Sequence, residues 1–305
     1  MPAPAASRDL RFLDPAVIAR LGSMELKART IVEGFLSGLH RSPYKGFSVE
    51  FAEYRQYLPG DDLSRLDWKV YARSDRHYVK RFEEETNLEC HLLLDVSGSM
   101  GYRGGAAVSK LEYGCMLAAS LAYLMSRQRD ATGLIPFDET IRPRLPASAR
   151  PGHLQAILHA LDRIAPAGRS NVGRPLHQLA DTLTKRSLAV VISDLLDEPD
   201  RIVSGLEHLR YRGTDVIVFQ VLDPHELQFP FRGAARFTDV ETADVVTADP
   251  AQVRGPYLDA MDGLRARYEK ALRSHGIDFL GLDTSKPLDF ALLAYLDARG
   301  KGKGR

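Results

Sequence analysis

The chain has 305 residues, 44% of them apolar and 27% charged, a globular composition that excludes disorder or a fibrous repeat as an account of the whole. With 41 Lys+Arg against 40 Asp+Glu the net charge is +1, which supplies no attraction toward nucleic acid or an anionic membrane. At roughly 150 residues per domain the length suits one large domain and a smaller piece, with a core large enough to need neither disulfides nor structural metals.

The N-terminal stretch MPAPAASRDLRFLDPAV contains no apolar run of the kind a signal peptide needs. The longest nearly apolar stretch, residues 115–125, is about half a membrane span. A cytoplasmic protein without a membrane span is therefore expected. Cys90 and Cys115 are too few for a disulfide framework or a four-ligand zinc site, and read as buried thiols in a reducing compartment. Residues 16–40 read as one or two amphipathic helices, with Leu21, Leu26, Ile31, Phe35 and Leu39 as the apolar stripe. Residues 46–87 are dense in aromatic and charged side chains.

From about residue 87 strands and helices alternate. Residues 88–96 (LECHLLLDV) end in a continuous apolar run, as a strand buried on both faces does. Residues 110–127 follow as a long apolar helix. Residues 132–137 and 140–145 suggest a hairpin turning at Asp138-Glu139, and residues 153–164 and 175–185 two helices. Buried strands are expected at 187–193 and 215–222 with a helix over 199–211 between them, then a small hairpin within 229–250. A helix over 257–275, a strand over 277–282 and a helix over 288–298 complete the series. The pattern predicts an α/β fold with a mostly parallel sheet, right-handed crossovers and helices on both faces. The division expected is an N-terminal helical and irregular region (1–86) packed on the sheet domain, that domain itself (87–298), and a flexible tail (299–305).

Asp95, Ser97 and Ser99 close the first of these strands in the pattern DVSGS. Residues i, i+2 and i+4 of an extended chain share a side, so three oxygen-bearing side chains converge there. In an open α/β sheet, ligands bind beyond the carboxyl ends of strands, near the switch in strand order. Asp194 ends the strand LAVVIS, and the loop GRSNVG places Ser170 between the two carboxylates in sequence. Two carboxylates and three hydroxyls form an all-oxygen set suited to a hard cation such as Mg²⁺, with Mn²⁺ or Ca²⁺ as substitutes, and without the His or Cys that zinc favours. The alternative is purely local: the serines cap the next segment while Asp95 binds backbone N–H groups.

These residues resemble the metal-ion-dependent adhesion site of von Willebrand factor A domains. The resemblance implies a von Willebrand factor A-like, Rossmann-like fold, with Ser97, Ser99 and Ser170 binding the metal directly and Asp95 and Asp194 often acting through water. Ser170 stands where Thr is usual, and Leu195 follows Asp194 where Gly is common. Upstream, Glu50-Phe51, Tyr54-Arg55, Tyr57, Pro59-Gly60-Asp61-Asp62, Leu66-Asp67-Trp68-Lys69 and Ala72-Arg73, continuing to Lys80, Phe82-Glu83 and Glu85, resemble the hallmark of domain-of-unknown-function family 58. That resemblance implies an association with MoxR-type AAA+ ATPases. In physical terms, Pro59-Gly60 is a turn and Asp61 or Asp62 caps a short helix. The charges of Arg55, Arg65, Asp67, Lys69 and Arg73 surround Trp68. The block is either a structural clasp or a partner-docking surface built from Arg55, Asp61, Asp62, Asp67, Trp68 and Arg73.

Three functions compete. The leading one is a non-catalytic interaction module whose cation captures an acidic residue of a partner, the ATPase or a client of it. The second is a metal-dependent hydrolase or phosphatase using Asp95. The third is a structural subunit whose site stays empty. The nine histidines form no motif with the aspartates, and neither a nucleophile elbow nor a phosphate-binding Gly-rich loop is present, so a non-enzyme is expected.

Overall fold

The structure is a computed structural model describing residues 14–41, 54–56, 78–80, 89–183 and 187–302. The chain divides into two compact units, one of Met1–Gly38 with Leu88–Arg305 and one of Leu39–Asn87.

In chain order the elements are α1 (Pro15–Ile18), α2 (Met24–Arg41), β1 (Tyr54–Gln56), β2 (Tyr78–Lys80), β3 (Glu89–Asp95), a 3-10 turn over Gly98–Gly101, and α3 (Lys110–Arg127). Then come β4 (Ala131–Phe137), β5 (Leu145–Ser148), α4 (His153–Arg163), α5 (Gly173–Thr182), β6 (Ser187–Ser193), α6 (Pro199–Tyr211), β7 (Asp215–Leu222) and α7 (Pro224–Gln228). The chain continues through β8 (Ala235–Thr238), β9 (Val245–Ala248), α8 (Pro250–Ser274), β10 (Asp278–Asp283) and α9 (Asp289–Gly302).

The larger unit is built on a six-stranded sheet of order β10-β7-β6-β3-β4-β5, parallel except for β5, which runs antiparallel to β4 at one edge. Numbered within that sheet, the order is the doubly wound 3-2-1-4-5-6, and the switch lies between β3 and β6. Both strands are flanked on each side and buried nearly throughout, which is why they read as unbroken apolar runs. The α/β fold with a mostly parallel sheet is as the sequence predicts. α3, the central helix, starts at a capping box in which Ser109 Oγ accepts from the Glu112 N–H and Glu112 accepts from the Ser109 N–H. In the smaller unit β1 pairs antiparallel with β2, Arg55 opposite Val79.

Several boundaries differ from expectation, each for a local reason. The strand expected over 140–145 is a turn. Asp138 accepts from the Thr140 N–H and hydroxyl and binds Arg142, leaving Phe137 and Ile141 as a lone bridge and delaying β5 to Leu145. α2 buries Met24, Ala28, Ile31, Val32 and Phe35, so the expected stripe holds at Ile31 and Phe35, while Leu26 points outward at 52% exposure and Met24, Ala28 and Val32 complete the buried face. α8 starts seven residues before position 257, capped by Asp249, which accepts from the Ala251 N–H, with Pro250 in its first turn. Cys90 and Cys115 are free and buried, and burial pushes the Cys115 thiol up to about 12. No helix among the described residues is long and apolar enough to cross a membrane.

Candidate functional site

The carboxyl ends of β3 and β6, neighbours at the switch point, bring the sequence-predicted residues to one rim. Asp95 is fully buried. Its Oδ1 accepts the Ser97 N–H at 2.9 Å and its Oδ2 accepts the Ser193 hydroxyl at 2.6 Å, so the carboxylate ties the two central strands together. The chain then turns through Gly98–Gly101. Ser97 Oγ lies 3.1 Å from Ser99 Oγ, which lies 3.3 Å from Ser170 Oγ. Backbone bonds hold the two contributing loops in place: the Gly98 N–H donates to Gly168 O at 3.1 Å, and the Ala167 N–H to Val96 O at 2.8 Å. Ser97 is buried, and Ser99 and Ser170 are half-buried above it.

Asp194 is also fully buried, one residue beyond β6, but its carboxylate is engaged elsewhere. Oδ2 accepts from the Lys110 ammonium at 2.7 Å and Oδ1 from the Leu196 N–H at 3.3 Å. Lys110, only 1% exposed, donates also to Glu226 Oε1 at 2.6 Å. Burial acts to lower the Lys110 pKa, and the charges of Asp194 and Glu226 more than reverse that, so the ammonium persists. For Asp95, burial and then the charge of Asp194 raise the pKa well above the carboxylate range, against the bonds from Ser193 and Ser97 that favour the anion. Leu195, after Asp194, adopts φ 55°, the left-handed conformation that glycine takes most readily.

The structure thus joins Ser97, Ser99 and Ser170 through their hydroxyls, sets Asp95 beneath them, and holds Asp194 on Lys110. Asp61, Asp62, Asp67, Trp68 and Arg73 lie outside the described residues. Arg55 lies in β1, with its side chain outside the description. Among the described residues no three His, Cys, Asp or Glu side chains group as a metal cluster.

Four further residues belong to the site. Ser193 binds Asp95, Lys110 and the half-buried Glu226 complete an ion triad with Asp194, and Glu241, from the β8–β9 loop, accepts from Ser170 Oγ at 2.6 Å. Only Glu226 has a local signal, the capping box Asp223-x-x-Glu226 at the start of α7. The Asp223 carboxylate of that box accepts from Gly104, Gly105 and Ala106 N–H groups and pins the loop ahead of α3 beside the site.

The family model described as "Protein of unknown function DUF58" matches residues 53–276. The chain belongs to that family. Within the sequences compared, an uncharacterized protein of Mycobacterium tuberculosis is 29% identical over 294 residues, 95% of this chain and 92% of that protein. Among solved structures, the conserved hypothetical protein BatB from Bacteroides thetaiotaomicron aligns with TM-score 0.47 and 18% identity, covering 70% of this chain and 99% of that one. The SpRpn10 VWA domain aligns with TM-score 0.37 and 13% identity, covering 68% and 94%.

Proposed function

We propose that this DUF58 chain is a non-catalytic, metal-dependent protein-interaction module of the von Willebrand factor A type. A divalent cation, Mg²⁺ with Mn²⁺ or Ca²⁺ as substitutes, is held by Ser97, Ser99 and Ser170, with Asp95 and Asp194 behind them, and receives an acidic residue of a partner. The observation that carries this reading is the meeting of three hydroxyls from two loops, spaced 3.1 and 3.3 Å apart. Neighbouring oxygens around an octahedral Mg²⁺ at roughly 2.1 Å lie about 3 Å apart, so the set fits such an ion with little rearrangement.

Charge supports the same reading. Two carboxylates meet the serine loops directly, Asp95 through the Ser97 N–H and Glu241 through Ser170 Oγ, while Asp194 and Glu226 are bound to the Lys110 ammonium. That balance favours a cation. When bound, the cation supplies a concentrated positive charge that an outside carboxylate can ligate. Ser97, Ser99 and Ser170 orient that charge toward solvent, Asp95 fixes the Ser97 backbone, and Lys110 holds Asp194 and offsets part of its charge. The hydrolase reading is weaker, because both Asp95 oxygens are committed to Ser97 and Ser193 in a fully buried position. The partner that the family resemblance suggests is a MoxR-type AAA+ ATPase or its client, in the cytoplasm.

The test is capture of partners on the immobilised full chain, with Mg²⁺ or with a chelator, beside Ser97→Ala. Capture of a MoxR-type ATPase or its client that disappears on chelation and in the variant is expected. Capture indifferent to both would end the proposal.

A further inference from the structure

The loop between β8 and β9 delivers a carboxylate to the three serines from within the chain itself. Glu241 Oε1 accepts the Ser170 hydroxyl at 2.6 Å and the Ser99 N–H at 3.2 Å, and Oε2 accepts the Ser170 N–H at 2.9 Å. One side chain thus bridges both loops that supply the hydroxyls. The contact is built in from several directions. Asp239 Oδ1 accepts the N–H groups of Glu241 and Thr242 at 2.7 and 2.9 Å, shaping the tip that presents Glu241. At Gly98 an added Cβ would lie 3.2 Å from Glu241 Cγ and 3.4 Å from Val240 O, so the missing side chain leaves room for the tip. Behind the tip, Phe237 of β8 stacks on Phe229 and meets Phe231 edge-on, anchoring the hairpin to the segment that follows α7.

This approach sets a carboxylate directly on the hydroxyl set, bonded to Ser170 and to the Ser99 N–H, with Asp95 on the Ser97 N–H beneath it. A divalent ion among the hydroxyls would find that carboxylate already beside it. We infer that Glu241 is the site's own acidic ligand: on a cation held by Ser97, Ser99 and Ser170 it takes the position that a partner's carboxylate takes on docking. Resting on the cation reading above, this makes the site self-occupied, and an acidic partner binds only by displacing the β8–β9 tip.

The test uses the full chain with Mn²⁺ alone as probe, comparing wild type, Glu241→Gln, Glu241→Ala and Ser97→Ala. Calorimetry gives the Mn²⁺ affinity, water-proton relaxation gives the number of waters on the bound ion, and circular dichroism verifies folding. Loss of one anionic ligand is expected to weaken Mn²⁺ binding about tenfold in both Glu241 variants, since ligand charge count tunes such affinities. Bound Mn²⁺ should gain exchangeable water in Glu241→Ala, and added acetate should restore affinity there while leaving wild type unchanged. Equal affinity and equal water number in wild type and Glu241→Ala would overturn the inference and leave the cation reading standing. Tighter Mn²⁺ binding by Glu241→Ala would overturn it too, because the carboxylate would then be guarding the hydroxyls against the ion. Absence of Mn²⁺ binding in wild type, or binding indifferent to Ser97→Ala, would overturn the cation reading and the inference with it.

Discussion

Leu195 shows how a single position reconciles two demands. Its φ of 55° costs a non-glycine residue about 1 kcal/mol or somewhat more. Its side chain is fully buried in the cluster containing Val191, Leu206 and Tyr268, and burying a leucine contributes about 2–3 kcal/mol. Burial is the larger effect, so Leu serves where the resembling pattern has Gly, and the turn after Asp194 still forms. Leu195→Ala is expected to lose about 3 kcal/mol. Leu195→Gly should lose about 1 kcal/mol less, because it regains the backbone freedom. Urea denaturation at constant slope reads the ordering, and an alanine variant more stable than the glycine variant would remove this account.

Among elements, α8 is the one whose extent the sequence disguises. The helix expected from 257 in fact extends back through Gly255-Pro256, although Pro256 removes the N–H that would bond the Gln252 carbonyl. Residue 256 is on an exposed face, where water can take that carbonyl, and Gly255 tolerates the backbone that a following proline imposes. The cap at Asp249 and Pro250 therefore sets the start, and the helix runs through the interruption. Pro256→Ala should stabilise the chain by about 1–3 kcal/mol, read as a rise in thermal midpoint, whereas an unchanged or lower midpoint would mean the proline is fitted to its place. The β8–β9 hairpin is the opposite case. Its existence is legible in the polar segment, but the place of its tip is not, because that depends on Phe237 meeting Phe229 and on the room left at Gly98.

At the scale of the whole molecule, the proposed cation would join the turn after β3 and the loop before α5, segments about 70 positions apart in sequence. A ligand bound only by the folded state at a hundredfold excess over its Kd adds about 2.7 kcal/mol of stability. Rising Mg²⁺ should thus raise the thermal midpoint of wild type and leave Ser97→Ala flat, and equal responses from both would sever the ion from these hydroxyls. What was legible beforehand follows from the same layout. β3 and β6 announce themselves because strands buried on both faces must be apolar throughout, and Asp95, Ser97 and Ser99 stand out as polar groups next to such a run, whereas Ser170 is picked out by its loop GRSNVG and the resemblance. Lys110 looks like an ordinary residue in the first turn of α3, and Glu241 like any acid in a polar loop. Their roles arise only when the turns of the sheet bring Asp194 and Ser170 beside them.

The rim that carries these groups caps two strands in the middle of the sheet, and both are bonded to a parallel neighbour on either side. A pull on anything gripped there, directed outward along the strand axes, loads the β3–β4 and β3–β6 ladders in shear. Their bonds then share the force together, whereas peeling an edge strand would break them one by one. Whatever binds at this rim would meet the fold's greatest stiffness along the strand axes.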